Sequence, residues 1–299
     1  MTFDEIISPF PVFVSVIGEK WLHQNPWLDA DYISSRLEHF ERLERDLKSL
    51  DTHVGPSKLK ATYRALVRDK NSFWPIVHEI HGISLVSKVS SHVELKIPLG
   101  GLSNRDFDAR AKVLGVSINM ECTTRKDEFP FNLPPVETGP NHIPVYSGSR
   151  STVDPHDARG SGITSAPQDD PLHVETPEAT VARQILTVEL SQLPETGVNL
   201  ILFGQISGSR ENLETALFGP IAVDFALNPK VRTVESTAIR LPHGAYDTGI
   251  NGEPFRRLSG VLWFKLFSIR GPEYNLYLNP CAISPIPEGI AAQLKALFT

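Results

Sequence analysis

The sequence predicts a mixed α/β fold in which a central sheet opens as an antiparallel meander and is flanked by helices. Three observations predict it. Apolar residues recur at spacings of three and four through the first part of the chain and again after residue 177, which marks amphipathic helices. Between about 92 and 123 they alternate at a period of two, as half-buried strands do. The largely apolar run Val198 to Phe203 then follows a helical stretch, as a strand covered on both faces does.

Taken in order, Ile33, Leu37, Phe40, Leu43, Leu47 and Leu50 define one face of a helix over about 30 to 50, with Asp29 or Asp31 as its N-cap. The break at Gly55-Pro56 precedes a second helix carrying Leu59, Tyr63, Leu66 and Val67, capped by Ser57. A third helix is expected over Ser72 to Val86. Val93, Leu95 and Ile97 then alternate with His92, Glu94 and Lys96 as a first strand, ended by Pro98 and Gly100-Gly101. Phe107, Ala109, Ala111 and Val113 form one face of a second strand, with Asp106, Asp108, Arg110 and Lys112 on the other. A turn at Leu114-Gly115 leads to a third, with Val116, Ile118, Met120 and Cys122 opposed by Ser117, Asn119, Glu121 and Thr123.

From Pro130 to Pro177 periodicity fails and nine of 48 residues are proline, so this stretch reads as a surface insertion, least ordered over about 147 to 172. A helix follows at about 177 to 193, the strand at Val198, a helix at 210 to 218, and a loop rich in Pro and Gly. Strands at Gly260 to Ile269 and Asn275 to Leu278 and a helix from Glu288 to Phe298 complete the chain. The expected organisation is an N-terminal helical region, 1 to 70, packed on an α/β core, 71 to 299, with an insertion at about 131 to 176.

Composition narrows the function classes. With 299 residues, 40% of them hydrophobic, the chain can bury a core without cross-links. Cys122 and Cys281 belong to no CxxC or Cys/His run of the kind zinc needs, and a reducing, cytoplasmic setting is expected. Asp4 and Glu5 stand where a signal peptide has basic residues, and Pro9 and Pro11 interrupt the apolar run. No window approaches the roughly 18 to 20 apolar residues of a membrane helix. A net charge of −6 provides no global footprint for a polyanion, which argues against a nucleic-acid coat protein but not against an enzyme with a local groove.

The strongest constellation is Glu79 on a helix, Asp106 or Asp108 at the start of a strand, and Glu121-Cys122-Thr123 on the next. Asp108 and Glu121 both lie on the polar alternation of hairpin-linked strands, which sets them side by side on one face. Two carboxylates there, facing a third, suit a hard divalent cation such as magnesium or manganese. Acids on the exposed face of a meander are also commonly just solvated, and that reading stands beside this one. Cys122 points to the core as a small hydrophobe. The spacing of His78-Glu79-Ile80-His81 falls short of the zinc-protease HExxH. Gly204 to Ser209 lacks the Lys-Ser/Thr of a P-loop and reads as a plain turn.

At these residues the sequence resembles the PD-(D/E)XK nuclease superfamily, the fold of restriction endonucleases. The matching order is a helix with an acid (Glu79), a strand from His92 to Ile97, RDFDARAKV, then VSINMECTT at the E-x-K position. ATVARQILTVELSQLP and VNLILFG supply the helix and strand that follow. The resemblance covers about residues 72 to 205 outside the insertion. It implies a restriction-endonuclease-like sheet and magnesium-assisted hydrolysis of DNA, with Asp108 (or Asp106) and Glu121 as metal ligands and Glu79 in support. The family's lysine is Thr123 here. Lys126 and Lys96 are the candidates to replace it, and Gln184 or Gln192 to line the site. The substitution keeps open a second reading, an inactive nuclease-fold module that binds DNA or a protein partner, and a third, an unrelated α/β protein.

Overall fold

A computed structural model describes residues 3–25, 27–67, 70–99, 106–126, 143–144, 152–153, 181, 185, 190–207, 210–218, 221–228, 233–240, 246, 253–268 and 271–298. The chain divides into two compact units. The first joins Met1–Lys126, Thr187–Ser207 and Gly252–Thr299; the second joins Asp127–Leu186 and Gly208–Asn251.

The first unit opens with helices α1 (Phe3–Ile7), α2 (Pro11–Ile17), α3 (Glu19–Gln24), α4 (Ala30–Ser34), α5 (Leu37–Val54), α6 (Pro56–Tyr63) and α7 (Lys70–Ser87). The helix expected over 30 to 50 is thus two, broken at Ser35 and Arg36. Asp29 caps the first, its carboxylate accepting from the Tyr32 amide at 2.7 Å. Ser57 is not the cap of α6. Gly55 takes that place at φ 81°, with Pro56 in the first turn, where its missing N–H costs nothing.

Strands β1 (His92–Pro98), β2 (Asp106–Val113) and β3 (Val116–Lys126) form the antiparallel meander that the alternation predicts. After β4 (Ile143–Pro144) and β5 (Thr152–Val153) of the second unit and the short helix α8 (Leu190–Gln192), β6 (Val198–Ser207) lies parallel to β3. It runs through Gly204 to Ser207, so those residues are strand rather than turn. In the second unit follow α9 (Arg210–Phe218) and the hairpin β7 (Ile221–Asn228) and β8 (Thr233–Arg240). This hairpin replaces part of the loop expected before Gly260. The first unit ends with β9 (Gly260–Lys265), parallel to β6, β10 (Glu273–Leu278), antiparallel to β9, and α10 (Glu288–Ala296). Its six-stranded sheet has the order β1-β2-β3-β6-β9-β10 and mixes both strand directions. Apart from β4 and β5, the expected insertion lies outside the described residues, as does most of the helix at 177 to 193, Gln184 included. Among the described residues no helix is long and apolar enough to cross a membrane.

One core joins α7 to the sheet. Ile76, Ile80 and Ile83 share it with Ala109 and Ala111 of β2, Ile118 and Met120 of β3, Leu200 and Leu202 of β6, and Phe264 of β9. Approach is close enough that a Cβ on Gly82 would lie 3.1 to 3.2 Å from Phe264 and Leu202, tighter than ordinary packing. The N-terminal helices extend this core through Phe10, Phe13, Phe40 and Phe73. Buried Glu44 of α5 fixes them by accepting from the Val12 and Phe13 amides at 3.2 and 2.8 Å, which satisfies the N-terminal donors of α2.

Polar contacts hold α7 in its axial position. His81 Nδ1 donates to Asp46 of α5 at 2.6 Å, and its Nε2 meets the Tyr274 hydroxyl of β10 at 3.1 Å. Ser84 donates to the other Asp46 oxygen at 3.0 Å. Asp46, His81 and Ser84 are all buried, so this charge-assisted chain is satisfied within the protein and ties α7 to α5 and β10.

Candidate functional site

The ladder between β2 and β3 runs from Val113–Val116 to Ala109–Met120 and stops there. Asp108 and Glu121 come next, and side chains take over from backbone. Glu121 Oε2 accepts from the Asp108 amide at 3.1 Å, and Asp108 Oδ2 accepts from the Cys122 amide at 2.8 Å. Each carboxylate thus satisfies an N–H that the ended ladder would leave unpaired. The sequence reading sets the two carboxylates side by side on one face; in the structure each accepts from a backbone amide of the other's strand.

Lys96 stands opposite Asp108, between the pairs Leu95–Ala109 and Ile97–Phe107. An extended residue there would send its side chain to the sheet face opposite Leu95. Lys96 instead has φ 51°, a left-handed conformation that costs a residue with a Cβ about 1–2 kcal/mol. Its ammonium reaches Asp108 Oδ1, and it lies 3.1 Å from Glu79 Oε1 on α7, an ion pair without hydrogen-bond geometry. The three side chains are 23, 14 and 12% exposed for Lys96, Glu79 and Asp108, so the bridge is largely shielded from water.

Burial and then the nearby Asp108 charge push the Glu79 carboxyl up to about 7, against the pull of Lys96. Burial alone would lower Lys96, but Glu79 and Asp108 outweigh it and hold the ammonium above the ordinary lysine value. The cluster therefore keeps a cation between two acids, one of which exchanges its proton near neutrality. Tyr63, the last residue of α6, is wholly buried beside Glu79. Its hydroxyl is pushed well up, first by burial and then by Glu79, Cys122 and Asp108.

The other expected residues fall around this centre. Asp106 is exposed, opposite Pro98 at the sheet margin. Thr123 is buried on β3, paired with Phe203. Lys126 pairs through its backbone with Ser207 after a shift in register, and its side chain lies outside the described residues. Gln192 is half-buried on α8. Of the two lysines weighed against the Thr123 substitution, Lys96 has a described side chain, and its ammonium meets the acids. Cys122 is a free thiol packed against the core, and burial raises its pKa.

The two histidines of α7 do not form a pair. His81 belongs to the Asp46 chain. His78 donates from Nδ1 to the Trp74 carbonyl at 2.7 Å, and its Nε2 is buried without a hydrogen-bond partner. Its ring stacks on Phe264 at 5.9 Å, and burial lowers its pKa to about 4. Gly204 lets β6 pass it: a Cβ there would lie 2.8 Å from the ring and 2.9 Å from the His78 Cβ.

Among the described residues no three His, Cys, Asp or Glu side chains converge as a metal cage. A magnesium-type ion asks for less, one or two carboxylates with water and substrate oxygens completing its shell. The oxygen-only donors Glu79 and Asp108, already sharing a cation, fit that requirement. Comparison with family models, curated proteins and solved structures finds no match to this chain.

Proposed function

We propose that this protein is a PD-(D/E)XK-type phosphodiesterase acting on DNA with magnesium or manganese, in which Lys96 stands in for the lysine that Thr123 displaces. The observation that carries the proposal is the Lys96 ammonium between Glu79 and Asp108, reached from a strained backbone on β1, two strands before the one that normally supplies it. The order of elements supports a restriction-endonuclease-like core: an acid-bearing helix, a three-stranded meander, and a further strand parallel to the third.

Asp108 and Glu79 would hold the ion, with Glu121 bracing the Asp108 backbone and adding a third carboxylate nearby. Bound there, a divalent cation supplies charge neutralisation at the scissile phosphate and a more acidic water. Lys96 contributes a fixed ammonium donor for the attacking water or a phosphate oxygen. Shielding from bulk water strengthens each of these interactions.

Nicking of supercoiled plasmid tests this. Wild type is expected to nick with magnesium or manganese and not with chelator present. Asp108→Asn, which keeps an oxygen to accept from the Cys122 amide, is expected to lose at least about 100-fold, as removal of a group that stabilises transition-state charge does. Absence of metal-dependent nicking by the wild type would refute the proposal. One observation favours a second reading, the inactive module: both Asp108 oxygens already have partners within the chain. Under that reading wild type retains DNA or a protein partner without cutting DNA.

A further inference from the structure

We propose that the Tyr63 hydroxyl is a positioning group of this site, orienting the Glu79 carboxylate for the divalent cation; this rests on the metal-dependent reading above. Tyr63 comes from α6, in the helical region that precedes the nuclease-like elements, so nothing in the resemblance assigns it a role.

The ring is a core residue by every measure of packing, wholly buried and part of the same apolar cluster as α7. Phenylalanine would fill that space without placing a hydroxyl where water cannot reach it. The hydroxyl makes no well-formed hydrogen bond among the described residues: it meets the Glu79 carboxylate without good geometry, and a buried polar group so poorly paired is costly. It lies in the field of Glu79, Cys122 and Asp108. Glu79 Oε1 is likewise buried without a well-formed hydrogen bond, and the carboxylate is held by the ion pair with Lys96 and its interaction with Tyr63. Two poorly satisfied polar groups of matched chemistry, a donor and an acceptor, thus sit together at the edge of the acidic cluster.

A small rotation of the Glu79 carboxylate away from Lys96 would bring its contact with Tyr63 into full hydrogen-bond geometry. The phenol then fixes one oxygen and leaves the other to face the space beside Asp108. A divalent cation favours that arrangement because it replaces the ammonium as the counter-charge, and outer partners of this kind set the direction and basicity of a carboxylate ligand.

The test compares wild type with Tyr63→Phe, which removes one oxygen and keeps the ring. Manganese binding is measured by calorimetry, melting temperature without metal by fluorescence, and kcat and KM by plasmid nicking. Tyr63→Phe is expected to weaken manganese binding at least about 10-fold, to lower kcat with KM for DNA unchanged, and to melt no lower than wild type without metal. Wild-type affinity in the variant overturns the inference while leaving the metal-dependent reading intact. A lowered metal-free melting temperature also overturns it, because the hydroxyl would then be a structural bond. A wild type that binds no manganese overturns both.

Discussion

Replacing Lys96 by Met removes the ammonium and keeps most of the stem, so it isolates the charge that holds Glu79 and Asp108 together. At 3.1 Å and an effective dielectric near 20, the attraction to Glu79 alone is about 5 kcal/mol before desolvation is subtracted. Breaking a shielded bridge from one side typically costs about 3–5 kcal/mol, because uncompensated charge stays behind. Glu79 can relieve part of that cost by taking a proton. Its carboxyl titrates near 7 when folded against 4.5 when free, so the folded state binds more protons than the unfolded state over that window. Its contribution to stability falls as pH rises from 4.5 to 7 and levels off above, a change of about 3 kcal/mol. In Lys96→Met the folded value rises further and the window extends to higher pH. The variant should therefore lose about 3–5 kcal/mol at pH 8.5 and clearly less at pH 5.5, where Glu79 is neutral with or without Lys96. Manganese at 100 times its dissociation constant should restore about 2.7 kcal/mol. Urea unfolding followed by tryptophan fluorescence reads this in the right place, since Trp21, Trp27, Trp74 and Trp263 all belong to the first unit. A loss that is equal at the two pH values, or below about 1 kcal/mol at both, would refute the bridge as described.

Two further substitutions test the surroundings of the site. Gly204→Ala places a methyl group 2.8 to 2.9 Å from His78 carbons and should lower stability by about 1–3 kcal/mol, with His78→Ala in the same chain recovering part of the loss in a thermal melt. His78 is held near 4 when folded against 6.5 when free, so below pH 6.5 the unfolded state takes up a proton that the folded state refuses, and stability falls by up to about 3 kcal/mol by pH 4. His78→Phe keeps the stacking and should abolish that loss; since Glu79 acts with opposite sign over an overlapping range, the difference between variant and wild type is the quantity to measure by urea titration.

Much of the sheet could be read from the sequence because its faces differ in polarity. Alternation marks β1, β2 and β3, and the run at Val198 marks β6, whose Leu200, Ile201, Leu202 and Phe203 are buried on both faces. The break between α4 and α5 was hidden because Ile33 and Leu37 keep helical spacing across it. The β7–β8 hairpin carried its own signal, Ile221, Val223, Phe225 and Leu227 at a period of two, which the Pro and Gly around it masked. Asp46 and Glu44 were legible in retrospect as acids on the apolar stripe of α5, each three or four residues from buried neighbours. An acid in such a place needs internal donors, and both have them.

The site divides along the same line. Glu79 and Asp108 follow from the order of elements and Glu121 from alternation as well, whereas alternation would send the Asp108 side chain to the face opposite Ala109 and it shares Lys96 with Glu79 of α7 instead. Lys96 and Tyr63 resist that logic because each breaks a local rule. Positive φ is expected of Gly or Asn, so no pattern announces a lysine turned by a left-handed backbone toward the helix side of the sheet. Tyr63 keeps helical spacing with Leu59 and so reads as core, which its ring is. Added to a largely buried glutamate that titrates near 7, these make three local penalties within one contact cluster, in a unit where the buried acids Glu44 and Asp46 are satisfied by donors. Selection for stability alone would remove them with Gly or Asn at 96, Phe at 63 and Gln at 79. Their concentration around the Asp108 clamp is the pattern that the proposed site calls for.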